Sequence, residues 1–152
     1  MYRSSQETAF QFAISREGRH PCGFLGDYRG FVVADAYAGH GDLYGPDLAT
    51  FVCCWAHVRR NFYEMCNRYP LALRMVEYIQ QLYDIEDDLR LVDDDERRKG
   101  RQARAMPILN EIQRQLAEAH RSRLPASDLG VAINYALVRW PTLTIYAEHG
   151  FL

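Results

Sequence analysis

Asp35 closes the apolar run Phe31-Val32-Val33-Ala34 and opens a loop of small residues. A carboxylate at the end of a rigid strand is held in place while the loop beyond it leaves room for an ion and a substrate. Hard cations such as magnesium take oxygen ligands, commonly one or two carboxylates together with substrate phosphate. Pairs of such ions drive phosphoryl transfer by activating the attacking oxygen and stabilising the leaving one. The local pattern alone does not separate this role from that of an ordinary helix cap or turn residue. Asp27, Asp42 and Asp47 compete with Asp35, but they sit in Gly-rich or Pro-adjacent sequence and read as turn residues.

A second group lies downstream in Cys54-Trp55-Ala56-His57-Val58-Arg59-Arg60-Asn61-Phe62. At a helix start, Cys54 and His57 fall one turn apart on the same face. They read as a pair supporting Asp35 or touching DNA, or else as structural groups, with Cys54 and Trp55 in the core and His57 satisfying a buried carbonyl. A zinc site would need two further ligands from Cys53, Cys66, His40 or Cys22. Arg59 and Arg60 suit phosphate, because the guanidinium fork bonds two oxygens at once.

The elements that must position these groups fall into textures. Thr8–Ser15 alternates Phe10, Phe12 and Ile14 with smaller or more polar neighbours, which predicts a strand. Gly18–Pro21 reads as a turn, and Phe24–Tyr28 as a short helix or loop. Phe31–Ala34 predicts a strand buried on both faces. From Cys54 onward glycine nearly vanishes and apolar residues recur at threes and fours. Trp55, Val58, Phe62 and Met65 mark one helix, ended near Pro70. Leu71, Met75, Tyr78, Ile79, Leu82, Ile85 and Leu89 form one stripe of a second. Met106, Leu109, Ile112 and Leu116 mark a third, in which Pro107 must occupy the first turn or kink a longer helix. Ser127 is a suitable N-cap for a helix through Ile133 and Leu137. Trp140-Pro141 restarts the pattern, with Leu143 and Tyr146 on one face. Phe151-Leu152 reads as the start of a strand, so the chain looks cut rather than finished.

Composition excludes some classes. The chain has 152 residues and a net charge of -2, which argues against a wholly basic nucleic-acid coat but leaves room for a local basic face. Lys99 is the one lysine. The abundance of arginine suits phosphate and equally suits a GC-rich genome. The run Glu96-Arg97-Arg98-Lys99-Gly100-Arg101-Gln102-Ala103-Arg104 follows Asp93-Asp94-Asp95, whose charge cancels much of its field, and reads as a solvated helix flank. No apolar run approaches the roughly 18 residues that span a bilayer, and Met1–His20 lacks a signal-peptide pattern. The expectation is a cytoplasmic protein with free thiols.

Three stretches in order carry a resemblance: Phe24-Leu25-Gly26-Asp27-Tyr28-Arg29-Gly30 with Asp35-Ala36-Tyr37-Ala38-Gly39, then Cys54–Phe62, then Ala132-Ile133-Asn134-Tyr135-Ala136-Leu137 with Trp140, Leu143 and Gly150. From about Phe10 to its end the chain resembles transposases of the insertion-sequence-sixty-six family, which have an RNase H-like core and an Asp-Asp-Glu site. The resemblance implies an α/β fold: a partial RNase H-like, mixed-sheet core over residues 1–50, then a mostly α-helical insertion over 51–152 that ends before the last catalytic element.

It also implies that Asp35 is the second of three catalytic, magnesium-binding acids. The first belongs on an earlier strand in an Asp-Glu-Thr context, which Gln6-Glu7-Thr8 does not supply. The third, a Glu, is expected just beyond position 152. The implied function is DNA transposition by two-metal phosphoryl transfer, cutting and joining element ends. The implied partners are terminal inverted repeats, target DNA and further copies of the chain. With one acid of three, the chain is expected to be inactive alone. The alternative is a non-catalytic DNA-binding or assembly module descended from such an enzyme.

Overall fold

The computed structural model describes residues 2–3, 8–9, 12, 14–15, 17–37, 44–45, 47–122 and 127–152. Phe10, His40, Asp42, Glu7 and the loop glycine Gly39 lie outside them. The chain divides into two units, residues 1–32 with 36–50, and residues 33–35 with 51–152.

In the first unit, β1 (Tyr2–Arg3) pairs antiparallel with β2 (Thr8–Ala9), Tyr2 opposite Ala9. Of the strand predicted over Thr8–Ser15, Thr8–Ala9 is found. Among the other described residues of that stretch, Phe12 and Ile14 are exposed and outside any strand. Helix α1 spans Arg19–Leu25. Gly18–Pro21, expected as a turn, is its entry, and Pro21 is tolerated there because first-turn N–H groups have no intrahelical partner. The helix ends at Gly26, whose φ of 51° favours a residue without Cβ, and the Gly26 N–H donates to Cys22 O.

Strands β3 (Phe31–Ala34) and β4 (Thr50–Cys53) are neighbours in a two-stranded sheet. Thr50 N–H donates to Gly30 O and Cys54 N–H to Ala34 O at one constant offset, which makes the pair parallel. β3 was expected to be buried on both faces. Instead Val33 is 57% exposed and its neighbours half-buried. Among the described residues β4 is its one strand neighbour, and Val33 lies on an exposed face.

The second unit is mostly helical. Its helices are α2 (Trp55–Tyr63), α3 (Pro70–Asp88), α4 (Asp94–Gly100), α5 (Met106–Ser122), α6 (Asp128–Val138) and α7 (Trp140–Leu143), closed by a 3₁₀ turn at Ile145–Glu148. Each stripe expected from sequence faces inward. Val58 and Phe62 of α2 are buried, as are Met75, Ile79 and Leu82 of α3, Leu109, Ile112 and Leu116 of α5, and Leu129 and Ile133 of α6. Pro70 begins α3 rather than merely ending α2, at a position where its missing N–H costs nothing. Ser127 caps α6 as predicted, its hydroxyl accepting from Gly130 N–H at 3.0 Å.

Helix α4 runs into α5 through a π-helical turn, Arg101–Ala105, in which Met106 N–H reaches back to Arg101 O. The wider turn lies just before Pro107, where the ring would crowd the carbonyl four residues back and no N–H could bond it. Pro107 thus sits in the first turn of α5. The fold is mixed α/β and predominantly helical. No helix among the described residues is long and apolar enough to cross a membrane.

Candidate functional site

Because Cys54 N–H bonds to Ala34 O at 3.0 Å, Asp35 and Cys54 stand side by side where two parallel strands end. Ends of parallel strands at their carboxyl side are where open α/β sheets place ligands. Cys54 is the extended residue from which α2 starts, and His57 lies in the first turn of that helix. Asp35 Oδ2 and His57 Nε2 are 4.0 Å apart, with side chains 34% and 44% exposed. That separation is an ion-pair distance and too long for a hydrogen bond. The Nδ1 atom of His57 is buried and, among the described residues, has no hydrogen-bond partner. The sequence-predicted pair is therefore brought together with Asp35, and His57 is the member that approaches the carboxylate.

The corner is braced by Trp55, whose indole N–H donates to Leu143 O at 2.9 Å and whose ring meets Trp140 edge-to-face at 5.8 Å. Trp55 thereby ties the first turn of α2 to α7 and explains why these distant tryptophans occur together. Cys53 points into the core, and burial pushes its thiol above the ordinary range despite Arg139 nearby. A protonated buried thiol is a poor metal ligand and a poor nucleophile.

Arg60 falls one helical turn after His57 and is exposed, so both lie on one face of α2. Arg59 is half-buried, its guanidinium 5.3 Å from the Tyr63 ring centroid, with Nε buried. Tyr83 of α3 was not anticipated. Burial raises its phenol, Cys54 adds to the rise, and Arg59 opposes it. Tyr83 joins Val33, Val52, Cys54, Tyr146 and Leu152 in lining a mainly apolar groove of about 280 Å³. Its signal in the sequence was only its place one residue beyond the apolar stripe at Leu82.

Asp27 and Asp47 are exposed turn residues, as expected. Among the described residues no three His, Cys, Asp or Glu side chains converge to hold a metal ion. Asp35 can offer one hard oxygen donor to magnesium, but these residues alone do not fit a complete two-ion site.

The predicted solvated flank at 96–104 needs correction. Arg98, Lys99 and Arg104 are exposed and paired with Asp95 and Asp88. Arg97, by contrast, donates to Leu89, Val92 and Gly150 carbonyls, and Arg101 is only 2% exposed. These two arginines point inward onto loop and C-terminal carbonyls, which accept their N–H groups.

The model of the Transposase IS66 family matches residues 1–152, and the chain belongs to that family. Among curated proteins, the chain is 26% identical over 147 residues to "Uncharacterized protein y4jD" of Sinorhizobium fredii (strain NBRC 101917 / NGR234), covering 91% of this chain and 29% of that protein. It is 26% identical over 161 residues to "Uncharacterized protein y4hP" of the same strain, covering 93% of this chain and 29% of that protein. The chain thus spans less than a third of the length of either relative. No solved structure matches.

Proposed function

We propose that this chain carries one part of the catalytic site of a DNA transposase, with Asp35 as a metal-binding carboxylate. The observation that carries the reading is the position of Asp35 at the end of β3, within ion-pair distance of His57, in a chain that belongs to a transposase family. In the intact enzyme Asp35 would supply one oxygen ligand to magnesium, and the ions would stabilise charge during phosphoryl transfer. The half-open strand β3 suits a place within a larger, RNase H-like sheet. His57 would hold the Asp35 side chain toward the strand ends, and Arg60, exposed on the same face of α2, would meet DNA phosphate. The substrates would be terminal inverted repeats and target DNA.

The test is Asp35→Asn in a full-length family protein. Strand transfer should vanish while binding to terminal repeats persists in a gel shift. Normal strand transfer by that variant would refute the assignment.

A second reading is a non-catalytic DNA-binding or assembly module. Val131 and Val138, both exposed on α6, favour it, since they place apolar side chains on an outer helical face. Specific repeat binding by this chain, together with full activity of Asp35→Asn in the longer protein, would select the module.

A further inference from the structure

Arginine is seldom fully buried, and Arg101 is buried for an identifiable purpose. Its Nε and Nη2 atoms form a two-pronged pair with the Glu86 carboxylate at 2.9 and 2.6 Å. Its Nη1 donates to Tyr146 O and His149 O, and Nη2 also reaches Leu152 O at 3.3 Å. The guanidinium lies 5.2 Å from the Tyr146 ring centroid. Two neighbours complete the grip. Arg97 donates to Gly150 O at 2.8 Å, and Gln102 donates to Ala147 O at 2.7 Å. Side chains of one helical stretch thus hold main-chain oxygens of Tyr146, Ala147, His149, Gly150 and Leu152. Gly150 seals the arrangement, because a Cβ there would stand 1.6 Å from Asp94 O.

The held segment borders the strand pair. Tyr146 and Leu152 line the same groove as Val33 and Cys54, which adjoin Asp35 along the two strands. Satisfying stray carbonyls would explain individual bonds, but not their concentration on a segment that lies beside the strand pair.

We propose that Arg101, gripped by Glu86, is a positioning residue that sets the path of residues 146–152 and so delivers the chain at Leu152 to the side of the Asp35 strand. Glu86 fixes the plane of the guanidinium, and the remaining N–H groups fix the backbone. Lysine cannot replace it, since a single ammonium cannot span these acceptors in a planar fork.

The first test needs no activity. In the double variant Arg101→Met with Glu86→Leu, both charges leave together, so no orphaned ion remains in the interior. Hydrogen exchange is then measured peptide by peptide. Residues 144–152 should exchange about ten-fold faster, while α3 stays unchanged, as expected for local release. Unchanged exchange over 144–152, or equal acceleration everywhere, overturns the proposal. Arg101→Lys is the second variant, expected to loosen the same segment; failure of both variants to fold also overturns it, since the pair would then be a general folding requirement.

The second test rests on the transposase reading and uses a longer, cleavage-competent family protein with magnesium and repeat-end DNA. Arg101→Lys should lower kcat several-fold with KM for DNA unchanged. Unaltered kcat in Arg101→Lys, alongside a dead Asp35→Asn, overturns the positioning role alone. An active Asp35→Asn overturns the functional reading and leaves the exchange result standing.

Discussion

Two acid–base pairs of the helical unit are built in opposite ways. At the strand ends, Asp35 and His57 stand 4.0 Å apart and both remain partly open to solvent. At the helix junction, Arg101 and Glu86 meet through two short bonds, with the arginine side chain 3% exposed. His57 approaches Asp35 without a hydrogen bond between them, whereas the N–H groups of Arg101 are taken up by Glu86 and by backbone. An arginine that serves structure can thus be recognised by how completely its bonding capacity is used.

The core calibrates this contrast. Phe62→Ala, at 1% exposure, should cost about 3–5 kcal/mol, read as a lowered urea midpoint. Arg101→Met alone strands Glu86 beside a hydrophobic side chain. It should cost about 3 kcal/mol, toward the low end for a broken buried pair because Glu86 is 31% exposed. A loss below that of a surface substitution would erase the distinction between the two pairs.

Trp55→Phe keeps the ring against Trp140 but removes the donor to Leu143 O. It should cost about 1–2 kcal/mol by thermal melting. Asp35→Asn, nearly isosteric at a half-buried site, should move stability by no more than about 1 kcal/mol. A large loss would mean that Asp35 is structural and would move it into the company of Arg101.

The smallest effect is a pH dependence. Arg114, and then Gln115, hold the exposed Glu111 carboxyl at about 2 against an ordinary value of 4.5. A depressed carboxyl adds stability above its unfolded value and loses it as pH falls through the folded one. The contribution is therefore complete above pH 4.5 and disappears on descending toward pH 2. Arg114→Gln should return the Glu111 titration, followed by NMR, toward 4.5.

What could be read from sequence follows from how local each signal is. The stripes of α2, α3 and α5 were visible because three- and four-residue spacing is a property of the helix itself, and Ser127 announced its own cap. The strand at Thr50–Cys53 was passed over, since four apolar or hydroxyl residues beside a helix start carry no period of their own. Helix α4 was legible only as a helix flank in its charge run, although its start was written in Asp93 and Glu96, which stand at capping-box spacing, the Asp93 carboxylate accepting from Glu96 N–H.

Asp35 was identifiable as a strand-end carboxylate, and its meeting with His57 followed from two elements ending together. Arg101 was not separable from Arg98 by type. The missed clue was spacing: Arg97, Arg101 and Ala105 extend the stripe that continues through Leu109, Ile112 and Leu116, so two arginines occupy inward positions. Tyr83 needed the tertiary structure, because its role depends on strands distant in the chain.

The π-helical turn at Arg101–Ala105 makes the long helix intolerant of added length at that point. The wide turn already absorbs one residue beyond the ordinary helical repeat, so a further insertion would turn everything upstream by about 100° relative to α5. Arg97 would swing off Gly150, and the acidic start of α4 would face another way. Insertions among relatives should therefore collect in the connections between helices and avoid this turn, whose extra residue is already taken up between the two halves of one continuous rod.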